Sequence, residues 1–323
     1  MKREKNIIGI AGLGLMGCSL AISLKKSGFA AKIMGWDINP THSSAAISLG
    51  YADAIVHPAN MPQCCDLIVI AVPVNHIPDL LKQVLDRCTN QVVTDLGSAK
   101  HEIEYLLENH PNRSRYVASH PMAGTEKSGP DAAIPNLFTH KTAIICNKEK
   151  SDSDALTLVS GMYKSLEMQI VYMDSESHDY GCGLISHLSH VCAYALALSV
   201  LEKSVDKETI SVLAGGGFKS TVRIAASSPD MWVPIFMQNQ KNLIAGIETC
   251  IEKMCAFKNA IQSGNSEKCR ELISSANTIE DYLAPNNSPP MEGSGVGIPS
   301  LGGVGGGSTH PQPLQRRGVA QFS

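Results

Sequence analysis

The sequence has little of what marks several other classes of protein. Its formal net charge is only -3 over 323 residues, and aromatic residues make up only 5%. A charge so close to zero gives no reason to expect nucleic acid or an anionic membrane as a partner. No C-x-x-C pair occurs among the ten cysteines, so neither a zinc ribbon nor a redox dithiol is indicated. Apart from the adjacent Cys64 and Cys65, the cysteines are scattered singly, and free thiols are typical of a reducing, cytoplasmic setting.

Signals for secretion or membrane insertion are also lacking. The start, "MKREKNIIGIAG", passes directly into a glycine motif and does not read as a signal peptide. We expect no apolar run to approach the roughly 20 residues that cross a bilayer. The sequence therefore predicts no membrane partner.

What the first half does contain is an alternation of short apolar runs with amphipathic segments. The runs are "NIIGIA", "AKIMGW", "DLIVIAV", "QVVTD", "RYVAS", "TAIIC" and "QIVYM". They are rich in Ile and Val and barely alternate, as in strands that are covered on both faces. Strands that alternate with helices predict a mostly parallel sheet, so residues 1–173 form the first predicted domain.

Residues 174–284 have a different pattern, with long helical segments and no strand signals. These helices are apolar over much of their circumference, which favours packing against a second subunit, with large internal burial as the alternative. Residues 285–323 are rich in Gly and Pro and cannot bury enough apolar area to offset their chain entropy. We expect this tail to be disordered and to be appended to the native sequence.

A G-x-G-x-x-G motif stands between the first predicted strand and a predicted helix. In "GLGLMG", Gly12 permits a tight turn, Gly14 lets the backbone approach a pyrophosphate, and Gly17 lets the helix pack on the strand. The helix N-terminus offers N–H groups to the anion. The alternative is a chance glycine turn.

An acid follows the second predicted strand at the position that this motif requires. Asp37 stands where a carboxylate accepts hydrogen bonds from the ribose hydroxyls of NAD. A 2′-phosphate would be repelled there, and no arginine follows in "INPTH", so NAD is favoured over NADP. A carboxylate that only caps the next helix is the alternative.

Two further strand ends carry polar groups where a nicotinamide ring and its substrate would meet. These groups are Asp95, Ser98, Lys100, His120, Thr125, Glu126 and Lys127. His120 has a side chain whose pKa lies near neutrality, so it can accept a proton from a substrate hydroxyl as hydride leaves the same carbon. Ser98 can orient that hydroxyl or the imidazole. As alternatives, His120 satisfies a turn carbonyl and Ser98 caps the following helix.

The helical half adds cations and histidines. In "GGGFKSTVRIA", Lys219 and Arg223 are four apart, hence on one helix face, and form a candidate carboxylate clamp. A solvated basic face is the alternative. His187 and His190 are three apart on an apolar helix, and no carboxylate at helical spacing completes a metal site. A buried polar contact or a substrate contact is therefore favoured over zinc.

Taken together, these elements resemble the prephenate/arogenate dehydrogenase family of tyrosine biosynthesis. The matching segments are "GLGLMGCSLA", "GWDIN", "AVPV", "TDLGSAK", "SHPMAGTEKSG", "HDYGCGLISHLSH" and "GGGFKSTVRIAASSPDMW". The resemblance implies an α/β Rossmann-type dinucleotide-binding domain followed by an all-α dimerisation domain. It also implies a homodimer that carries out oxidative decarboxylation with NAD and needs no metal.

The resemblance also implies roles for individual residues. His120 is the hydrogen-bond acceptor for the ring hydroxyl, and Ser98 orients that hydroxyl and the nicotinamide. Substrate binding falls to Thr125, Glu126, His190, Lys219, Arg223 and Trp232. Cofactor binding falls to Gly12, Gly14, Leu15, Met16, Gly17, Asp37, Val72, Pro73 and Asp95.

One departure from the family pattern affects the expected pocket gate. Ser220 stands where some members carry an acid, so an ionic gate that involves that acid and Glu126 would be altered here. The sequence leaves prephenate and arogenate as alternative substrates. More distant alternatives are a β-hydroxyacid dehydrogenase, with Lys219 as its acid/base, and an NAD-sensing regulator without turnover.

Overall fold

A computed structural model describes residues 6–203 and 206–283. The strands are Asn6–Ala11 (β1), Ala30–Trp36 (β2), Ala54–Ile55 (β3), Leu67–Ile70 (β4), Val92–Asp95 (β5), Tyr116–Val117 (β6), Ser119–Pro121 (β7), Thr142–Cys146 (β8) and Gln169–Met173 (β9). The first helices are Leu15–Ser27 (α1), Pro40–Ser48 (α2), Ile77–Leu85 (α3), His101–Leu106 (α4) and Ser153–Ser165 (α5). The later helices are Ser175–Cys182 (α6), Leu188–Glu202 (α7), Lys207–Leu213 (α8), Gly216–Val222 (α9), Pro229–Gln238 (α10), Gln240–Gln262 (α11), Ser266–Asn277 (α12) and Glu280–Leu283 (α13).

Six strands form a parallel sheet in the order β3-β2-β1-β4-β5-β6. The strand β4 is buried at every residue, because helices cover both faces of the sheet. The strand order reverses beside β1, and in open sheets of this kind ligands bind beyond the carboxyl ends of the strands at that point. The fold therefore places the glycine motif, which follows β1, at the expected ligand crevice.

A second, three-stranded sheet was not foreseen from the sequence. Its order is β7-β8-β9, with β7 antiparallel to β8 and β8 parallel to β9. All seven predicted strands occur, but the run "RYVAS" is divided, since β6 ends the first sheet and β7 begins the second. His120 lies in β7 and pairs with Ile144 of β8, so its backbone is fixed by sheet hydrogen bonding rather than by a free loop.

The helical part begins directly after β9, which ends at Met173. A five-residue π-helical segment, Gly183–His187, joins α6 to α7. The resulting helix, Ser175–Glu202, is long and apolar enough to cross a membrane by length and composition, so the expectation that no stretch reaches that length is wrong. The reason is that α7 has few polar residues and carries only one acidic or basic side chain other than histidine, Glu202 at its last position. The predicted tail, 285–323, lies outside the described residues.

Helix α10 packs the helical part of the chain against the first part. Trp232 and Ile235 are buried in the same apolar cluster as Val74 and Ile77, which follow β4. The side-chain amide of Gln238 donates to the carbonyl of Val74 over 3.1 Å. The helical part is thus packed against the sheet edge at which the predicted site residues emerge.

Candidate active site

The three motif glycines occupy positions with different steric demands. Gly12 has a φ of 105°, and a Cβ there would collide with the carbonyl of Ala71. A Cβ on Gly17 would collide with the carbonyl of Gly12. By contrast, a Cβ on Gly14 would meet nothing within 4 Å. Gly12 and Gly17 are therefore required by the turn itself, whereas the space beside Gly14 is open to a ligand.

Asp37 stands at the end of β2 and is tied to the same turn. Its carboxylate accepts the N–H of Leu13 over 2.7 Å and the N–H of Asn39 over 2.8 Å. His42 lies 3.4 Å from the same carboxylate. These contacts hold the acid next to the glycine motif, at the place where the sequence predicted a ribose contact.

The other predicted cofactor residues surround this crevice with different exposures. Leu15 is buried and Met16 is half-buried at the start of α1. Val72 is half-buried and Pro73 is exposed after β4. Pro73 precedes a short 3-10 turn, Val74–His76.

Asp95 does not fit the expectation of a direct cofactor contact. Its side chain is fully buried and forms an ion pair with the fully buried Lys100. It also accepts the hydroxyl of Tyr116 over 2.7 Å and the N–H of Gly97 over 2.9 Å. Burial, with the negative charge of Asp95 nearby, holds the pKa of Tyr116 well above its usual range. Asp95 is thus occupied inside the protein, where it holds the loop that carries Ser98.

The alternative that Ser98 caps the following helix is not what the structure shows. Ser98 is half-buried in the loop before α4. The N–H groups of Lys100 and His101, at the start of α4, donate instead to Asp179 of α6, each at 2.9 Å. A carboxylate at this end of a helix is also favoured by the helix dipole. Asp179 therefore docks the helical part onto the loop, and the hydroxyl of Ser98 is not needed as a cap.

His120 is the first member of a chain of three polar side chains. Its Nδ1 lies 2.9 Å from Nε2 of His178, and Nδ1 of His178 lies 2.7 Å from Oδ1 of Asp179. A carboxylate only accepts, so His178 donates from Nδ1 and accepts at Nε2. His120 must then donate from Nδ1, which leaves the lone pair on its Nε2. The chain thus fixes the tautomer that can accept a proton.

Burial keeps this imidazole neutral. The pKa of His120 is lowered well below its usual value, chiefly by burial and further by the neighbouring His178 and Lys100. A histidine that merely satisfies a turn carbonyl has no such partners. The arrangement supports proton acceptance at neutral pH.

The helical part contributes an aromatic wall. His190 stacks on Trp232 with ring centroids 3.5 Å apart, and its Nδ1 donates to the carbonyl of Ser186 over 3.0 Å. Trp232 is buried and its indole N–H has no partner among the described residues. His187 is buried beside Asn239, and burial lowers its pKa to about 4. His187 is therefore a buried polar contact. The pKa of His190 is lowered chiefly by burial, with an opposing effect of its hydrogen bond to Ser186 and a further lowering by the charge of Arg223.

The two cations of the predicted clamp do not lie on one regular α-helix. Helix α9 ends at Val222 and Arg223 begins a 3-10 turn, so Lys219 and Arg223 do not share one uninterrupted helix. Arg223 lies 3.6 Å from Glu126, and both side chains are substantially exposed. Lys219 is exposed as well. The structure brings Arg223 and Glu126 together across the two parts of the chain.

Two hydroxyl groups, in the segments that carry Arg223 and Glu126, form hydrogen bonds with the backbone of their own segment. The Ser220 hydroxyl donates to the carbonyl of Gly217 over 2.9 Å, within its own helix. The Thr125 hydroxyl accepts the N–H of Lys127 over 3.2 Å. Thr125 is half-buried and Glu126 is exposed, so this loop stands at the edge of the site.

Sequence reasoning assigned no role to His178 or Asp179. Both lie in the segment "HDYGCGLISHLSH". The available signal was an adjacent His-Asp pair at the start of the helical part, where an interdomain contact is expected. Only the fold brings the pair to His120, which is 58 residues earlier.

The parallel sheet, glycine turn, Asp37 and neutral His120 define a two-domain, dinucleotide-dependent dehydrogenase. Residues 20–172 match the family model of the prephenate dehydrogenase nucleotide-binding domain, and residues 174–275 match that of the prephenate dehydrogenase dimerization domain. The chain belongs to the prephenate dehydrogenase family. The first match begins within α1, just after the glycine motif.

Individual relatives agree with the family models. Prephenate dehydrogenase of Bacillus subtilis is 29% identical over 290 residues, which are 88% of this chain and 77% of that protein. Cyclohexadienyl dehydrogenase of Zymomonas mobilis is 30% identical over 272 residues, which are 80% of this chain and 90% of that protein. The crystal structure of prephenate dehydrogenase from A. aeolicus with hydroxyphenyl propionate and NAD+ has a TM-score of 0.79 and 34% identity, covering 88% of this chain and 100% of that one.

Proposed function

We propose that this chain is an NAD-dependent oxidoreductase that converts prephenate to 4-hydroxyphenylpyruvate by oxidative decarboxylation, a step of tyrosine biosynthesis. The observation that carries the proposal is the chain from His120 through His178 to Asp179, which leaves a neutral proton acceptor at Nε2 of His120. The family match and the A. aeolicus relative with NAD+ and a hydroxyphenyl ligand support the same reaction.

The residues around the crevice fit NAD. The open space beside Gly14 accepts a pyrophosphate, and no side chain caps the start of α1, so its N–H groups can face the anion. Asp37 offers a carboxylate to the ribose hydroxyls and would repel a 2′-phosphate. When bound, NAD+ supplies the hydride acceptor.

In the mechanism that we infer, His120 takes the proton of the ring hydroxyl. Prephenate carries a hydroxyl and a hydrogen on one ring carbon and a carboxylate on the carbon across the ring. Loss of hydride and CO2 makes the ring aromatic, so the enzyme chiefly has to align the substrate and accept one proton. Nε2 of His120 accepts that proton as the hydride leaves, while His178 and Asp179 stabilise the imidazolium that forms, and His120 then returns the proton to the phenolate oxygen of the product.

The remaining site residues orient the substrate. Arg223, with Lys219 nearby, binds a substrate carboxylate. To do so, it gives up its contact with the exposed carboxylate of Glu126. Ser98 orients the ring hydroxyl, and His190 with Trp232 forms the wall of the pocket. Thr125 shapes the loop beside Glu126. Ser220 is not an acid, and its hydroxyl bonds within its own helix. Glu126 is therefore the carboxylate that pairs with Arg223 in this gate.

We also infer that the chain works as a homodimer in the cytoplasm. Many large apolar side chains of the helical part are exposed, among them Ile185, Leu198, Leu201, Met237 and Met254. A second subunit covers such a surface, in agreement with the dimerization domain that the family model describes. The helix Ser175–Glu202 does not suit a membrane, because Asp179 in its first turns accepts a hydrogen bond from the backbone N–H of Lys100 at the start of α4.

The test is an assay of NADH formation with prephenate and, separately, arogenate, each with NAD+ and with NADP+. We expect turnover of prephenate with NAD+ and far less with NADP+. Turnover of arogenate alone would move the substrate assignment to that compound. An enzyme that binds NAD+ but turns over neither compound would refute the proposed reaction.

A further inference from the structure

The chain from His120 to Asp179 has a neighbour that the reaction does not use. The thiol of Cys182 lies 3.5 Å from Nε2 of His178. The donor atoms of His120, His178 and Cys182 all lie within 4.8 Å of one another. His178 and Cys182 are buried, whereas His120 is only half-buried.

We propose that these three side chains form an inhibitory zinc site. Tetrahedral zinc with Zn–N bonds of about 2.0–2.1 Å and Zn–S bonds of about 2.3 Å places its donors roughly 3.3–3.6 Å apart. Of the two separations that involve Nε2 of His178, the 3.5 Å to Cys182 lies within that range, and the 2.9 Å to His120 falls short of it by about 0.4 Å. Two imidazoles and one thiolate suit zinc rather than magnesium or calcium, and they leave a fourth position for water.

The surroundings of His178 also match a zinc ligand. A ligating histidine commonly donates its second ring N–H to a carboxylate, which fixes its orientation and raises its basicity. His178 already does so, since its Nδ1 lies 2.7 Å from Asp179. The two positive charges of the ion would be balanced by the thiolate of Cys182 and the carboxylate of Asp179, so little net charge would be buried.

Binding of zinc would inhibit by changing the tautomer of His120. Without zinc, His120 donates from Nδ1 and its Nε2 is the acceptor. Zinc takes the place of that shared proton and coordinates Nδ1 through its lone pair, so the single N–H of the neutral ring moves to Nε2. An Nε2 that carries a proton cannot accept one from the substrate. The thiol of Cys182 loses its proton to solvent as the Zn–S bond forms, and no oxidation or reduction occurs.

The zinc site itself does not depend on the proposed reaction, although the inhibition does. The test therefore measures binding and turnover separately on the full chain after removal of metals by a chelator. Zinc is titrated in competition with a coloured chelator, and Co2+ is added in parallel to look for a thiolate-to-cobalt charge-transfer band. We expect one tight zinc per subunit, a cobalt band, and inhibition that follows zinc occupancy and is reversed by EDTA.

Cys182→Ala and Cys182→Ser separate this site from other thiols. Both variants should lose the cobalt band and bind zinc at least about tenfold to 100-fold more weakly, since losing a ligand costs no less than losing an outer partner. Their turnover without zinc should stay near that of the wild type. Cys255→Ala, which removes an exposed thiol of α11, is the matched control and should keep tight binding.

Three outcomes would overturn the proposal. Equal zinc affinity in the wild type and both Cys182 variants would assign the zinc to other thiols. The absence of a cobalt band in a folded wild-type enzyme would exclude the Cys182 ligand. Tight zinc binding without inhibition of an active enzyme would refute the tautomer change, whereas an enzyme inactive on both substrates would leave the binding and cobalt results to decide the site.

Discussion

Nδ1 of His120, in the second sheet, lies 2.9 Å from Nε2 of His178, in the first helix of the helical part. In the same helix, Asp179 accepts hydrogen bonds from N–H groups at the start of α4, in the first part of the chain. One pair of adjacent residues thus both docks the two parts and sets which nitrogen of His120 is the acceptor. Domain docking and proton acceptance are coupled through this contact.

Replacement of the acceptor should affect turnover and leave cofactor binding intact. His120→Asn removes the proton acceptor, and acid–base catalysis is worth roughly 10²–10⁴ in rate, so we expect kcat to fall by at least about 100-fold. NAD+ affinity, measured by calorimetry, should stay near the wild-type value. His101→Asn, at an exposed histidine of α4, is the control and should keep both values. Unchanged turnover in His120→Asn would remove this residue from the mechanism.

His178 should act on kcat rather than on substrate affinity. His178→Gln breaks the link to Asp179, so both tautomers of His120 become populated, and we expect kcat to fall by about 10- to 100-fold, part of what acid–base catalysis supplies. KM should change little. The ¹⁵N chemical shifts of His120 should report a mixed tautomer. A variant with reduced stability but an unchanged tautomer and kcat would show a purely structural role.

Asp179 should contribute to stability as well as to kcat. Asp179→Asn weakens the cap on α4, and loss of such a cap costs about 1 kcal/mol in the free energy of unfolding. It also removes the charge that orients His178, so kcat should fall too. Asp174→Asn is a matched control, because Asp174 caps α6 over 2.7 Å to Ser177 but lies outside the chain to His120. The control should lose stability without losing kcat in proportion, and an equal loss of kcat in both variants would contradict the assigned role.

Much of this architecture could be predicted from the sequence because its signals are local. The Ile- and Val-rich runs, the glycine spacing and Asp37 after the second run each report on a few neighbouring residues. The division of "RYVAS" between two sheets could not be read in this way. Both halves of that run have the same apolar pattern, and only the partner strands, β5 and β8, distinguish them.

The site was predicted less completely than the fold, for a related reason. His120 and Arg223 stand in conspicuous motifs, but each finds its partner in the other part of the chain, far away in sequence. Asp95 was predicted to contact the cofactor because it ends a strand, whereas its buried side chain forms an ion pair with Lys100 and accepts the hydroxyl of Tyr116. The partners of a polar side chain depend on packing, which neither spacing nor composition encodes.

The motif glycines should separate cofactor binding from folding. Gly14→Val places a side chain in open space, so the fold should persist while NAD+ affinity falls by at least tenfold, about 1.4 kcal/mol. Gly17→Val instead meets the carbonyl of Gly12, and it should unfold at markedly lower temperature. Thermal unfolding and calorimetry of both variants measure the two effects. Equal affinity for NAD+ in Gly14→Val and the wild type would contradict the predicted pyrophosphate position.

The buried histidine His187 should make the protein less stable as the pH falls. Burial lowers its pKa to about 4 from 6.5, so below pH 6.5 the unfolded state binds a proton that the native state does not. The free energy of unfolding then decreases with falling pH, by about 1.4 kcal/mol per pH unit, until the loss levels off near pH 4. Urea unfolding of the wild type and of His187→Gln at pH 6.5 and 4.5 measures this contribution.

The glutamine side chain in His187→Gln would keep an acceptor for Asn239 but cannot titrate, so we expect a pH-dependent loss smaller by roughly 2 to 3 kcal/mol than in the wild type. His140→Gln, at an exposed histidine, should keep the wild-type loss, and an equal loss in all three proteins would show that His187 is not buried as a neutral group.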